Sequence, residues 1–330
     1  MYDKQTTVTS DGLKNGTPAR SLPGKAAAWL ALLRLPNLLT VPGDPLAGAC
    51  LAAMAMSVPL NGSALSSCIL GSLMLYSAGL LANDYCDRNE DARERPGRPI
   101  PSGRISANLV LYCSVALSIL GVCAIFPAGR LASTVALLLS LASWAYNLGM
   151  KRVPIAGPLF MGSCRGLNLL LGAAAYGFAA VTAIPVLLSA IALAFLVLLI
   201  SSIARHETHV VRVSRSFVAA FPVLLLTWLG TLALFLPALL PSSGPLAYPA
   251  PFVLILSSMA VVWITLLAAP LTGRPAPEWT QRSIGGMIRG LILVQAAVCA
   301  ATGAIGELPA LALLAAFPVA GWLGKWIRGS

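Results

Sequence analysis

Apolar runs of roughly 20 residues recur along almost the whole chain, each long enough to cross a hydrocarbon core of about 30 Å. They leave no room for a sizeable soluble domain. Only 10% of the 330 residues are charged and 58% are hydrophobic, whereas a soluble domain carries about a quarter charged residues. The spacing predicts an all-α fold, a polytopic membrane bundle of nine to ten transmembrane helices. The spans fall at about 35–58, 65–82, 106–127, 131–148, 156–178, 183–204, 217–239, 250–270, 284–304 and 307–327. Gly and Pro punctuate the returns, as in Pro127–Gly129 and Pro241–Pro245. Residues 1–24 are polar and lack an apolar h-region, which predicts a disordered cytoplasmic tail rather than a signal peptide, followed by a membrane domain at 25–330.

A net charge of +11 invites a nucleic-acid reading, but the distribution excludes it. Of the 22 Lys and Arg residues, 20 fall in alternate loops, and the exceptions are Arg130 and Arg165. By the positive-inside rule that face is cytoplasmic, with both chain ends inside and the protein in the inner (cytoplasmic) membrane. Seven Cys sit mostly within apolar spans at no paired spacing, so they read as small core hydrophobes rather than disulfides or zinc ligands.

The inner loops hold the chemistry. Asn83-Asp84-Tyr85-Cys86-Asp87-Arg88-Asn89-Glu90-Asp91 closes the second span. On a helix turning about 100° per residue, positions 83, 84, 87 and 91 fall at about 0°, 100°, 40° and 80°, on one narrow face. Three carboxylates and an amide oxygen converging there repel one another unless a cation neutralises them, and Mg²⁺ prefers such oxygen ligands while keeping positions open for phosphates. The plainer reading is a solvated helix end, with Asp84–Arg88 and Asp91–Arg95 as i,i+4 surface pairs. Two further segments favour the first reading. Arg98-Pro99-Ile100-Pro101-Ser102-Gly103-Arg104 is a rigid basic loop suited to phosphate contacts, and Tyr146-Asn147-Leu148-Gly149-Met150-Lys151-Arg152 adds a phenol and an ammonium. Arg165, with Asn168 one turn on, stands inside an apolar span, where an Arg faces a partner or polar cavity or else snorkels to the interface. Asp44 is a lone carboxylate within the first span. It is expected to pair with Arg165, to act as base or hydrogen-bond acceptor for an incoming nucleophile, or to cap a helix restarting at Pro45.

These motifs, in this order, resemble the UbiA superfamily of intramembrane prenyltransferases over roughly residues 30–215. Its Asn-Asp-x-x-Asp-x-x-x-Asp motif matches Asn83, Asp84, Asp87 and Asp91. Its Arg-Pro-(Ile/Leu)-x-x-Gly loop matches Arg98 to Gly103, and its Tyr-x-x-x-x-Lys turn matches Tyr146 and Lys151. The resemblance implies a UbiA-like bundle and transfer of a polyprenyl group from a Mg²⁺-bound polyprenyl diphosphate to a small-molecule acceptor, with release of diphosphate. It also implies metal ligation by Asp84, Asp87 and Asp91 with Asn83 in support, and diphosphate contacts from Arg98, Tyr146 and Lys151.

The family's second aspartate-rich motif is altered. Its place holds Ser201-Ser202-Ile203-Ala204-Arg205-His206-Glu207-Thr208-His209, where Glu207 is the one acid. Glu207 is expected to hold a second Mg²⁺ with waters, or Arg205 to replace that metal as a fixed positive charge. The His-Glu-Thr-His run lacks the zincin spacing, and His206 and His209 read as interfacial polar residues. With Leu35-Pro36-Asn37 and Val41-Pro42-Gly43-Asp44, this altered motif resembles the EboC-like branch. The full expected site has Asp84, Asp87 and Asp44 as catalytic groups. Asn83, Arg98, Arg104, Tyr146, Lys151, Arg165, Asn168 and Arg205 are expected on the substrate, and Trp29, Tyr76, Trp144, Phe160 and Tyr176 as walls excluding water from a carbocation-like centre. The altered motif also supports an alternative, a non-catalytic membrane protein that binds or moves a lipid-linked precursor.

Overall fold

A computed structural model describes residues 24–205, 213–239, 250–273 and 275–328. The predicted tail and the residues Glu207, His206 and His209 lie outside them. The described residues form α1 (Lys25–Leu33), α2 (Leu35–Leu38), α3 (Gly43–Ala55), α4 (Gly62–Cys86), α5 (Arg88–Glu94), α6 (Ala107–Ala124) and α7 (Arg130–Leu148). They continue with α8 (Ala156–Ala174), α9 (Phe178–Thr182), α10 (Ile184–Ala204), α11 (Arg215–Leu239), α12 (Ala250–Ala268), α13 (Pro277–Ala300) and α14 (Ala304–Arg328). Among the described residues nine helices are long and apolar enough to cross a membrane, and the protein is a multi-pass integral membrane protein. Helix α8 is not one of the nine, because Arg165 and Asn168 lower its hydropathy, yet it packs between α3, α7 and α10.

Helix α6 shows which solvent the bundle is built for. It buries Val110, Ser114, Ser118 and Gly121 and turns Leu109, Tyr112, Val115, Ile119 and Leu120 outward. In water that pattern is inside out; in lipid it is the stable one, since small residues allow close helix approach and apolar side chains meet acyl chains. The buried hydroxyls are satisfied: Ser114 donates to the Ala78 carbonyl at 2.8 Å, and Trp144 Nε1 donates to Ser118 Oγ at 3.0 Å.

Helix α13 runs through the centre, buried without a break from Gly290 to Ala301, as expected of a helix that is apolar all round. Helices α3 and α8 cross at Gly48 and Gly172, where a Cβ on either would collide with the carbonyl of Leu169 or Pro45. That close crossing brings Asp44 and Arg165 within reach of each other. The expected first span, at 35–58, is broken. Arg34 closes α1 in the left-handed region (φ 45°), the Pro36 and Pro42 rings interrupt regular hydrogen bonding, and the continuous part begins at Gly43. An Arg in that conformation costs about 1 kcal/mol, which its contact with Asp84 offsets.

Candidate active site

Helix α4 ends at Cys86, with Asp87 as its C-cap, and α5 starts at Arg88. The amide bonds from Asp87 to the Asn83 carbonyl (2.9 Å) and from Asp91 to the Asp87 carbonyl (2.8 Å) carry the helical course across the break. The acidic residues therefore stay on one side of the chain, but they do not converge on a single point. They divide into two seats, each already holding a positive nitrogen. Arg98 Nη1 lies 2.8 Å from Asp91 Oδ2 and 3.6 Å from Asp84 Oδ1, between the two carboxylates. Arg34 Nη2 approaches Asp84 Oδ1 at 3.3 Å. Lys151 Nζ lies 2.5 Å from Asp87 Oδ1 and donates to Asn83 Oδ1 at 3.2 Å. Among the described residues no three His, Cys, Asp or Glu side chains gather closely enough to hold one ion. The expected set is divided in this structure between two basic nitrogens, Arg98 with Asp84 and Asp91, and Lys151 with Asp87 and Asn83.

Local structure explains how those basic groups arrive. The loop after α5 folds back through Ser102 N to Arg98 O (3.0 Å), Gly103 N to Ile100 O (3.0 Å) and Ile105 N to Pro99 O (3.2 Å), and Ile105 is buried against Leu32 and Leu81. This anchors Arg98 at the end of α4. Lys151 sits in the short turn Met150–Arg152 between α7 and α8, with Gly157 packed on its backbone. Arg205, just past α10, donates to the carbonyls of Val153 (3.2 Å) and Pro154, tying three helix ends together.

Except for Asp84, these charged groups border one cavity of about 770 Å³ at one end of the bundle. Arg34, Asn83, Asp87, Asp91, Arg98, Tyr146, Lys151 and Arg205 line its mouth; Leu75, Leu139, Met161, Val197, Ile200 and Leu291 form apolar wall; Ser72, Tyr76, Arg165 and Asn168 lie deeper. Asp84 is buried behind the mouth.

Asp44 is fully buried with both oxygens engaged. Arg165 Nη2 (3.2 Å) and Gln295 Nε2 (2.6 Å) donate to Oδ1, Asn168 Nδ2 (2.9 Å) donates to Oδ2, and Arg165 Nε lies 3.0 Å from Oδ2. Of the three expectations for Asp44 the pairing with Arg165 holds. Asp44 does not border the cavity, and three donors already engage its oxygens, which leaves its expected role as a base for an incoming nucleophile without a contact in this structure.

Two other expectations change. Arg104 does not border the cavity; it is exposed, donates to Ser102 Oγ (3.0 Å) and to the Gly97 carbonyl (2.5 Å), and so staples its own loop. Of the five aromatic wall residues, only Tyr76 lines the cavity. Trp144 is turned to α6, Trp29 packs beside Leu81, the Tyr176 hydroxyl accepts from Asn61 N (2.8 Å), and Phe160 lies off the cavity. Sequence reasoning missed Arg34 and Gln295. The signal for Gln295 was present: an amide alone in the apolar run 291–301.

Comparison with known proteins places these observations. The sequence profile of the UbiA prenyltransferase family matches residues 45–278. The chain is 37% identical over 121 residues to digeranylgeranylglyceryl phosphate synthase of Methanosarcina mazei, covering 37% of this chain and 42% of that one. Over 150 residues it is 37% identical to the enzyme of that name from Methanothrix thermoacetophila, covering 42% and 56%. Over 129 residues it is 34% identical to the bacteriochlorophyll synthase 33 kDa chain of Rhodobacter capsulatus, covering 37% and 42%. The chain thus spans about half the length of the curated relatives it matches. A solved structure from work on digeranylgeranylglyceryl phosphate synthase in membranes superposes with a TM-score of 0.56 at 18% identity, covering 84% of this chain and 99% of that one, and shares its fold.

Proposed function

Because the chain belongs to the UbiA prenyltransferase family, we propose that it is an intramembrane prenyltransferase, moving a polyprenyl group from a Mg²⁺-bound polyprenyl diphosphate to a small acceptor and releasing diphosphate. One observation carries the reading: two carboxylate seats, each occupied by a basic side chain, lie at one cavity at the end of a membrane bundle. The family generally uses a divalent metal. The donor set suits a small hard cation, since carboxylate and amide oxygens already surround a positive nitrogen at both places. Asp84, Asp87 and Asp91, with Asn83, are the residues to hold Mg²⁺, and Glu207 is the acid offered for a second ion by the altered motif at 201–209. When bound, the metal takes up negative charge on the departing diphosphate.

The chain's own residues do the rest. Arg98 and Lys151 leave their carboxylates to bind phosphate oxygens, Tyr146 adds a phenol donor, and Arg34 and Arg205 keep the mouth positive. The apolar wall from Leu75, Leu139, Val197 and Ile200 keeps water from the cationic carbon. The mouth faces the cytoplasm, where the basic loops lie.

The test is prenyl transfer by the purified full chain in nanodiscs, with Mg²⁺, geranylgeranyl diphosphate and a panel of acceptors. Asp84→Asn and Asp87→Asn are each expected to lower diphosphate release at least a hundredfold, and EDTA to abolish it. Undiminished release in both variants would sink the assignment. The alternative, a precursor-binding protein without turnover, draws on the single acid at 201–209; donor binding with no diphosphate release for any acceptor selects it.

A further inference from the structure

The cavity is charged at its mouth and electrically neutral at its floor. Among the described residues that line it, Arg165 is the cation at depth, and Asp44 balances its charge at 3.0 Å. Lys151 packs on Gly157, and Arg165 lies eight residues further along α8, about 12 Å at 1.5 Å per residue, so the floor lies inside the bundle yet within reach of a donor held at the mouth. The floor is nonetheless rich in hydrogen-bonding groups. Asn37, Thr40, Ser72, Tyr76, Arg165 and Asn168 all border it. Arg165 sends Nη2 to Asp44 and to the Thr40 carbonyl (3.0 Å) and Nε toward Asp44; among the described residues none accepts from Nη1. Ser72 Oγ donates to Asn168 Oδ1 at 2.5 Å and keeps its own lone pairs for another donor.

The arrangement is held from outside the cavity. Gln295 on the central helix donates to Asp44 Oδ1 (2.6 Å) and to the Thr40 carbonyl (2.9 Å). Its carboxamide occupies the space that any side chain at Gly43 would fill. Three helices and the α2–α3 turn therefore fix one guanidinium, leaving a single donor edge for the chamber.

The geometry points to this floor as the acceptor subsite, built for an uncharged group bearing hydroxyl or carbonyl oxygen, with Asp44 and Gln295 as positioning residues for Arg165. A prenyl tail has no oxygen to satisfy these groups and belongs on the apolar wall. A carboxylate or phosphate at the floor would be an uncompensated buried charge, which costs several kcal/mol. The inference rests on the prenyl-transfer reading and names its substrate class. In the transfer, the prenyl C1–O bond breaks and its electron pair leaves with diphosphate. C1 then bonds to the acceptor's nucleophilic atom, whose proton passes to the departing diphosphate.

The experiment uses the full chain in nanodiscs with geranylgeranyl diphosphate and matched acceptors: 4-hydroxybenzyl alcohol with 4-hydroxybenzoate, and a 1-O-alkylglycerol with its phosphate ester. The neutral member of a pair is expected to have at least a tenfold higher kcat/KM. The double variant Asp44→Leu/Arg165→Met removes the pair without stranding a charge; it is expected to raise acceptor KM at least tenfold and leave donor KM within twofold. Should the double variant lose its melting transition, Gln295→Leu carries the test, with at least a threefold rise in acceptor KM alone. Preference for the anionic members, or release with an unmoved acceptor KM, overturns the inference while leaving prenyl transfer intact. No release by the unaltered protein with any acceptor overturns both.

Discussion

Arg98 holds one nitrogen between two carboxylates that would otherwise face each other half out of water. Removing it leaves Asp84 and Asp91 to repel, so Arg98→Ala is expected to lower stability by about 1–3 kcal/mol in EDTA. Added Mg²⁺ should restore the melting temperature of this variant by more than it shifts the unaltered protein; equal shifts would show that the two carboxylates are no cation seat. Arg104→Ala, by contrast, is expected to change donor KM less than twofold in the transfer assay, because Arg104 only fastens its own loop. Most of the mouth was legible in the sequence because its residues lie in short segments, 83–98 and 146–151, where spacing reports geometry, although Arg34 falls outside them. Of the floor, the Asp44–Arg165 pair, Asn168 and Tyr76 were legible, but the tie from Gln295 was not. Asp44 and Gln295 are 251 positions apart, and nothing in either neighbourhood names the other. The likeness to the EboC-like branch rests on residues 35–37, 41–44, 101–104 and the altered motif over 201–207, of which only His206 and Glu207 lie outside the described structure.

At the scale of helices, the crossing of α3 and α8 sets the distance on which the Asp44–Arg165 pair depends. Gly172→Leu is expected to force the helices apart, costing about 1–3 kcal/mol and lowering kcat/KM together with melting temperature. A normal melting temperature in this variant would show that the crossing has slack. Hydropathy alone located most helices to within a few residues, because long apolar runs have one stable form in lipid. It missed α1 and the break before α3, which come from Arg34 dihedrals and proline rings rather than from polarity. It placed α8 correctly although Arg165 and Asn168 dilute it. Helix α14 continues through both Pro309 and Pro318.

For the whole molecule, the inverted polarity of α6 predicts unequal tolerance on its two sides. Ile119→Arg on the outward face is expected to cost about 2.5–3.5 kcal/mol of insertion energy if it sits near mid-membrane, whereas Ile119→Val should be silent; membrane-integrated yield of the two variants measures the difference. The gathering of the basic turns that border the cavity at one end has a further outcome for turnover. The proposed transfer would end with two products of opposite solubility: a multiply charged fragment that dissolves through the open end, and an oily one that drifts sideways among acyl chains. The two are sorted into separate phases at birth, so they seldom meet again, and the forward direction is favoured without any pump to carry either away.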